Sequence, residues 1–421
     1  MDDLRSEIRA AFENEQAAHP PLGGLRITLT AAAASQPRPA RNFQWVAVAV
    51  AALLIILLVA GLVSTRIGLL GSVPATHPGQ LKDYGPPPAG VPLMYLIDPR
   101  NATWLQAYDW QGNPRGTIKF GKPVNVGYAS IFAAPDGSGF IYQSHGDGGG
   151  IEFLDRLGRP TGPGLIPSSA LDISRTWADD SRHICVVRFD SRSLEWRLIT
   201  QLPGEAEHVV GVIRTDPKWA ETMIGFAACS FRNDQAIVVR TTTGAATEWP
   251  SELWVFRISD GKVLSDYKYP NPGSVEIVFA SSDGMLIAEN SSRSKGQSAG
   301  GEPSTIIRRA SDRSVVASLD PSVKVLAFSG DDSLVLVANG SGFWSPGNPL
   351  LLSVIDVRSG HMTWHGEAMM MTLMAQPNGR DFAISSNVSF PNQTTGPLGT
   401  FEIIHGDGSV TKIPGSYTAA Q

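Results

Sequence analysis

The sequence predicts an all-β protein, a ring of repeated four-stranded sheets carried behind one membrane-spanning helix. Three observations predict it. Two kinds of tight turn recur in step along residues 91–421, and helical periodicity is missing from that region. Ahead of it lies an uncharged apolar run of 22 residues, Phe43 to Ser64.

Composition sets the bounds. The 421 residues are 42% hydrophobic and 17% charged, ordinary for a folded protein. The 43 Gly and 30 Pro exceed the usual share and call for many turns. Net charge is −5 with no sustained basic run, which argues against a nucleic-acid partner.

The head reads MDDLRSEIRAAFENEQ. Leu4, Ile8 and Phe12 recur every four residues and share one helical face, so this stretch predicts a short amphipathic helix. That helix is either a weakly amphipathic leader or a dock for a cytoplasmic partner. His19-Pro20-Pro21 ends it, and Ala31 to Asn42 reads as a linker. From Phe43 to Ser64 no charge interrupts FQWVAVAVAALLIILLVAGLVS, and as a helix it would span about 33 Å, enough for a bilayer core. The long segment before it and the long apolar core favour an uncleaved anchor over a signal peptide. Arg26, Arg38 and Arg41 precede the run, against Arg66 and Lys82 after it, which places the head in the cytoplasm and the tail outside. The expected organisation is a head over 1–42, the helix over 43–64, a Pro/Gly-rich stalk over 65–90 and the ring over 91–421.

Within the ring the first turn follows an apolar strand, as in IFAAPDGSGFIYQS (131–144), IVFASSDGMLIAEN (277–290) and VLAFSGDDSLVLVAN (325–339). Its markers Asp136, Asp179, Asn233, Asp283, Asp331 and Asn378 step by 43, 54, 50, 48 and 47 residues. The second turn, as in LWVFRISDGK and LLSVIDVRSG, has markers Gly112, Gly158, Gly204, Gly261, Arg313, Gly360 and Gly408. These step by 46, 46, 57, 52, 47 and 48. A repeat of 40–50 residues holding four strands (A, B, C and D, with A–B and C–D joined by the tight turns) is the signature of a β-propeller. Seven second-type turns predict seven blades, with six or eight left open. The first blade lacks an A strand, and the terminal SYTAAQ is a candidate to close it.

FAAPDGSGFIYQS and TWADDSRHICVV resemble the Asp-Gly-turn unit of WD40-like, TolB-type propeller repeats. The resemblance covers about residues 91–415 as an architecture and implies a fold, not a ligand. Only Asp136-Gly137 keeps the full Pro-Asp-Gly, and no unit ends in Trp-Asp.

The long B–C loops, among them 144–150, 241–252, 290–304, 339–349 and 387–399, converge on one rim, where function concentrates. Trp249, Phe343, Trp344 and Phe390 place large aromatics there, to anchor a protein, peptide or glycan or to pack their own loops. His145 and Asp147 in HGDGGG could take an ion but form no metal-ligand set, so no metal or other cofactor is expected. Cys185 and Cys229 fall on adjacent blades; the reading favours two buried thiols over a disulfide. Sequons at Asn101, Asn290, Asn339, Asn387 and Asn392 matter only in a eukaryotic secretory pathway, and the repeat looks bacterial.

No nucleophile elbow, His-Glu-x-x-His, Cys-x-x-Cys or phosphate-binding loop is present. The first expectation is therefore a membrane-anchored extracytoplasmic propeller that binds an envelope protein, peptide or glycan. The alternatives are an envelope hydrolase or lyase using the funnel, and a transmembrane regulator. Bacterial anti-sigma factors share the regulator's head–helix–sensor layout.

Overall fold

The computed structural model describes residues 82–419 apart from 99–100, 102, 125–128, 145–150, 163–172, 191–192, 215–222, 244–247, 270–274, 292–304, 321, 340–348, 369–371 and 390–397. The expected N-terminal helix (Leu4, Ile8, Phe12) and the run Phe43–Ser64 lie outside the described residues. So do His145, Asp147, Phe343, Trp344 and Phe390.

The described chain is a seven-bladed β-propeller, all-β as its turn periodicity predicts. Blade one holds β1 (Met94–Ile97), β2 (Trp104–Tyr108) and β3 (Pro114–Lys119), and blade two β4 (Ala129–Ala133), β5 (Gly139–Ser144) and β6 (Ile151–Asp155). Blade three is β7 (Ile173–Trp177), β8 (Ile184–Asp190), β9 (Glu195–Gln201) and β10 (His208–Arg214). Blade four is β11 (Met223–Ser230), β12 (Gln235–Thr243), β13 (Glu248–Arg257) and β14 (Val263–Lys268). Blade five is β15 (Val275–Ala280), β16 (Leu286–Ser291), β17 (Thr305–Arg309) and β18 (Val315–Leu319). Blade six is β19 (Val323–Phe328), β20 (Leu334–Asn339), β21 (Leu350–Asp356) and β22 (Met362–Ala368). Blade seven is β23 (Leu373–Ala375), β24 (Phe382–Ser389), β25 (Leu398–Ile404) and β26 (Val410–Ala419). Within each blade, neighbours pair antiparallel in chain order.

Buried residues fall into seven apolar clusters, one for each seam between blades. The period of two along a strand produces this. On β20, Leu334, Leu336 and Ala338 face blade seven, while Val335 and Val337 face blade five. A strand with both faces buried loses polar alternation, which is why β20 reads as an unbroken apolar run from Leu334 to Ala338.

The terminal segment closes the ring. Thr418 and Ala419 at the end of β26 pair with Ile97 and Leu96 of β1, so blades seven and one share a continuous sheet. The hydroxyls of Tyr108 and Tyr417 meet at 2.8 Å inside this seam. Burial, then the Tyr417 hydroxyl, push the Tyr108 phenol's pKa upward. At blade one's outer edge, Gly85 O accepts from Thr117 N at 2.6 Å, and Pro87 O accepts from Arg156 Nη1 at 2.8 Å. These contacts cover a strand edge that would otherwise be open.

All seven second-type markers adopt positive φ. Six are glycine, which enters this region without steric cost. The C–D turns also lean on the outer strand of the preceding blade. A Cβ on Gly261 (φ +69) would sit 2.1 Å from Val210 O, so this position needs glycine twice over. Arg313 (φ 63) is the exception, and packing holds it. Its guanidinium lies 4.2 Å from the Tyr267 ring centroid and pairs with buried Glu289, which also takes Arg308 Nε at 2.8 Å.

Two expectations are corrected, and one sequon is found buried. Cys185 on β8 and Cys229 on β11 form a disulfide, with Cα atoms 6.5 Å apart, rather than two free thiols. Face-to-face packing of blades three and four brings the B strand of one against the A strand of the next, within disulfide reach. Trp249 lies in β13 opposite Thr242, because β12 and β13 run on through most of the expected loop. Asn290 is fully buried in β16, with its Nδ2 donating to Val325 O and its Oδ1 accepting from Val325 N, which closes it to glycosylation.

Gly360 has almost the same φ as Gly261, +70, but open space around its Cβ position. Gly360→Ala should therefore cost about 1 kcal/mol, the left-handed penalty alone. Gly261→Ala should cost about 3 kcal/mol, since strain and a backbone collision add. Urea unfolding of the two variants measures the difference; equal losses would show that the seam does not constrain Gly261.

Candidate functional site at the funnel mouth

The A strands line the axis of the ring, and the turns that follow them gather around one mouth. The Asx geometry explains the Asp markers: a carboxylate oxygen accepts the backbone N–H two residues on. Asp136, Asp283 and Asp331 do this to Ser138, Met285 and Ser333 at 2.8, 2.8 and 3.1 Å. In blade three the residue in this role is Asp180, at 3.0 Å from Arg182 N, not the expected marker Asp179. Burial pushes the Asp180 carboxyl up, but bonds from His183 and Arg182 outweigh it and hold the pKa below the ordinary carboxylate value.

Asp179 works across the seam instead. Its oxygens accept from Ser230 Oγ at 2.6 Å, Phe231 N at 2.8 Å and Arg232 N at 3.3 Å, joining blades three and four. Other turns repeat the pattern with different partners. Asp136 N donates to Ser181 Oγ at 3.1 Å, Asn233 Nδ2 to Asp283 O at 2.9 Å, and Asp331 N to Gly379 O at 3.1 Å. The turns therefore form a belt of hydrogen bonds that fixes the rim.

Inside the belt is a cavity of about 320 Å³. Phe132, Trp177 and Phe328 supply its aromatic surface, and Gln376 and Asn378 bring side-chain amides. Trp177 is held in place by its Nε1, which donates to Phe132 O at 2.9 Å. Disulfide-bonded Cys229 also lines it. Above the cavity, Arg232 Nη2 donates to Asn378 Oδ1 at 2.9 Å, bridging blades four and seven across the mouth.

Asp332, in the blade-six turn, faces Asp283 of blade five. Burial, then the Asp283 carboxylate, push its pKa up to about 8, although Ser281 pulls the other way. Its neighbour Asp331 goes in the opposite direction. There burial is outweighed by bonds from Ser329 and Ser333, and the pKa falls below the ordinary value. Among the described residues no group of three or more His, Cys, Asp or Glu could hold a metal ion.

The structure thus collects, on the A–B side, a set of residues that the loop reading did not name. Trp249 is the one expected anchor among the described residues, and its backbone belongs to blade four's outer half. Trp177, Phe328, Arg232 and Asn378 were missed as a set. The available signal was the repeat itself: each stands within a few residues of a first-type marker, so all must approach the axis together.

No family model matches the chain, and no curated protein sequence matches it. Solved structures do. The chain is similar to an oligogalacturonate lyase from Vibrio parahaemolyticus at 10% identity, covering 77% of this chain and 86% of that one, with a TM-score of 0.48. It is similar to prolyl oligopeptidase B from Galerina marginata, solved with a 35mer hydrolysis and macrocyclization substrate, at 9% identity. That match covers 77% of this chain and 50% of that one, with a TM-score of 0.49. The Swd1 (Cps50) β-propeller domain of Myceliophteria thermophila matches at 12% identity over 75% of this chain and 97% of its own, with a TM-score of 0.42.

The proton on Asp332 is bound more tightly in the folded protein than in the unfolded chain. Its contribution is therefore full below about pH 4 and is lost as pH rises toward about 8. Asp332→Asn keeps a donor toward Asp283, suits the positive φ of 61, and removes the titration. The variant should gain roughly 2 kcal/mol on wild type between pH 5 and pH 8.5, after discounting for partial exposure. Urea midpoints at both pH values test this, and parallel curves would contradict the protonated pair.

Proposed function

We propose that the protein is a single-pass, membrane-anchored propeller on the extracytoplasmic side, acting as a binding module for an envelope protein, peptide or glycan. One observation carries the binding reading. The mouth offers a preformed cavity with aromatic walls and amide rims, and its one lining carboxylate, Asp179, is occupied in joining blades. Such a surface recognises and holds. The B–C loops, with Phe343, Trp344 and Phe390, would extend recognition to the opposite rim.

The location draws on two independent features. The uncharged run Phe43–Ser64 has the length of a bilayer span. The Cys185–Cys229 disulfide supports an oxidising compartment, since such bonds are rare where the cytosol keeps thiols reduced. Together they favour a cytoplasmic head and an exported ring.

A second reading, an envelope hydrolase or lyase, has one specific observation in its favour. Asp331 and Asp332 have pKa values displaced in opposite directions beside the same mouth, the kind of environment that separates acid from base.

In intact cells, external protease should remove the ring, and Cys185 and Cys229 should resist alkylation after denaturation until a reductant is added. Free thiols together with a protected ring would refute the proposed location. For binding, purified protein probed on peptide and glycan arrays should give ligands whose capture falls at least tenfold in Trp177→Ala and Phe328→Ala. Capture unaffected by both would remove the mouth as the site. Loss of turnover of an array ligand in Asp332→Asn would favour the enzyme.

A further inference from the structure

The cavity reading leaves one side chain unexplained. Arg232 is exposed at the mouth, and its guanidinium reaches across the ring to the neutral amide of Asn378. Among the described residues Arg232 forms no ion pair, whereas many other arginines of the ring do, such as Arg240 with Glu252 at 2.7 Å and Arg197 with Asp190 at 3.0 Å. The contact with Asn378 joins turns 146 residues apart and lies over the cavity that Asn378 itself lines.

The backbone around Arg232 is fixed while its side chain is not. Its N–H is tied to Asp179 Oδ1 at 3.3 Å, and the adjoining Asn233 is tied to Asp283 O at 2.9 Å. The base of the side chain is therefore held at the rim, and only the guanidinium has to swing. An exposed bond from guanidinium to amide is weak next to a charge-assisted, two-pronged bond from guanidinium to carboxylate. A carboxylate arriving at the mouth would displace Asn378 and leave that amide free to bond the ligand as well. Asp179, which holds the Arg232 backbone, is already shared by three protein donors.

Resting on the binding reading of this cavity, we propose that the mouth captures the C-terminal carboxylate of a peptide, with Arg232 as its receptor and the last side chain in the cavity. The cavity is mostly apolar: Phe132, Trp177, Phe328, Ala133, Pro135 and Pro377 form much of its wall. That wall suits one large apolar side chain. An acidic sugar would bring a ring of hydroxyls needing more partners than Thr176, Ser282 and the rim amides supply. The volume, about 320 Å³, sits at the small end of ligand sites and fits a chain end rather than a passing chain. Gln376 and Asn378 stand at the rim, where the last peptide groups would lie.

The test uses the full-length protein in nanodiscs and three probes: N-acetyl-Gly-Gly-Phe with a free carboxylate, the same peptide as its C-terminal amide, and digalacturonate. Calorimetry should show the acid binding at least tenfold tighter than the amide. Arg232→Gln, an exposed substitution, should bring the acid to within twofold of the amide. Asn378→Asp, which sets a carboxylate against Arg232, should weaken the acid more than the amide. Equal affinity for acid and amide in wild type, or a preference that survives in Arg232→Gln, overturns the proposal. Tighter binding of digalacturonate than of the peptide acid overturns the peptide assignment. If acid and amide bind equally and Phe328→Ala abolishes both, the cavity still binds and only the carboxylate role falls. If no probe binds, both fall.

Discussion

A propeller blade has two apolar faces and can bury neither of them alone. Every other feature of this ring follows from that constraint. Seven seams each hold a buried cluster, and the inner strands are apolar on both sides because each serves two seams at once. An open stack of such blades would leave two terminal faces exposed. Here Leu96 and Met94 of blade one pack with Phe401 and Ile413 of blade seven, and β26 reaches β1 to close the sheet. The seam between the first and last blades is the one that must join segments some three hundred residues apart. It is also the seam with paired tyrosine hydroxyls and a shared sheet, so directional contacts reinforce burial where the loop to be closed is longest.

The belt of A–B turns serves the seams and the mouth together. Asp179, Ser181, Asn233 and Asp283 each join neighbouring blades, and the same turns border the cavity. A binding surface built from seam residues is preorganised, because its atoms are already fixed by the contacts that hold the ring. The exceptions are informative. Arg232 and Asn378 touch each other across the mouth, but among the described residues their side chains make no hydrogen bond to an adjacent blade, so they can change partners without opening a seam.

The blade count was readable because turn chemistry is local. All seven second-type markers have the positive φ that Gly or an Asx-rich turn implies, and Arg313 kept its place in the series although it is not glycine. Where the reading failed, distance in the fold was the cause. The Cys185–Cys229 bond depends on how two blades meet, which no spacing reveals. Trp249 looked like a loop aromatic because residues 241–252 read as a long B–C loop, whereas cross-strand pairing carries β12 on to Thr243. The residues of the funnel mouth were missed for a related reason. Short turns carry little sequence of their own, and loop length directed attention to the other rim.

The disulfide and the mouth also depend on each other. Cys229 lines the cavity, and its carbonyl accepts from Asp179 N at 3.3 Å, next to the carboxylate that holds the backbone of Arg232. Across a sequence separation of 44 residues, such a bond would stabilise the fold by about 4 kcal/mol if it acts through the unfolded chain. Its local effect is more specific, since it ties β8 to β11 directly beneath the Asp179 junction. Blades three and four are thereby fastened at the seam that positions Arg232, while the seams at Asn378 rely on hydrogen bonds and packing. The bridge over the mouth therefore has one covalently braced end and one held without a covalent bond. Opening it should move the arginine head, and leave the arginine's base and blade seven's turn where they are.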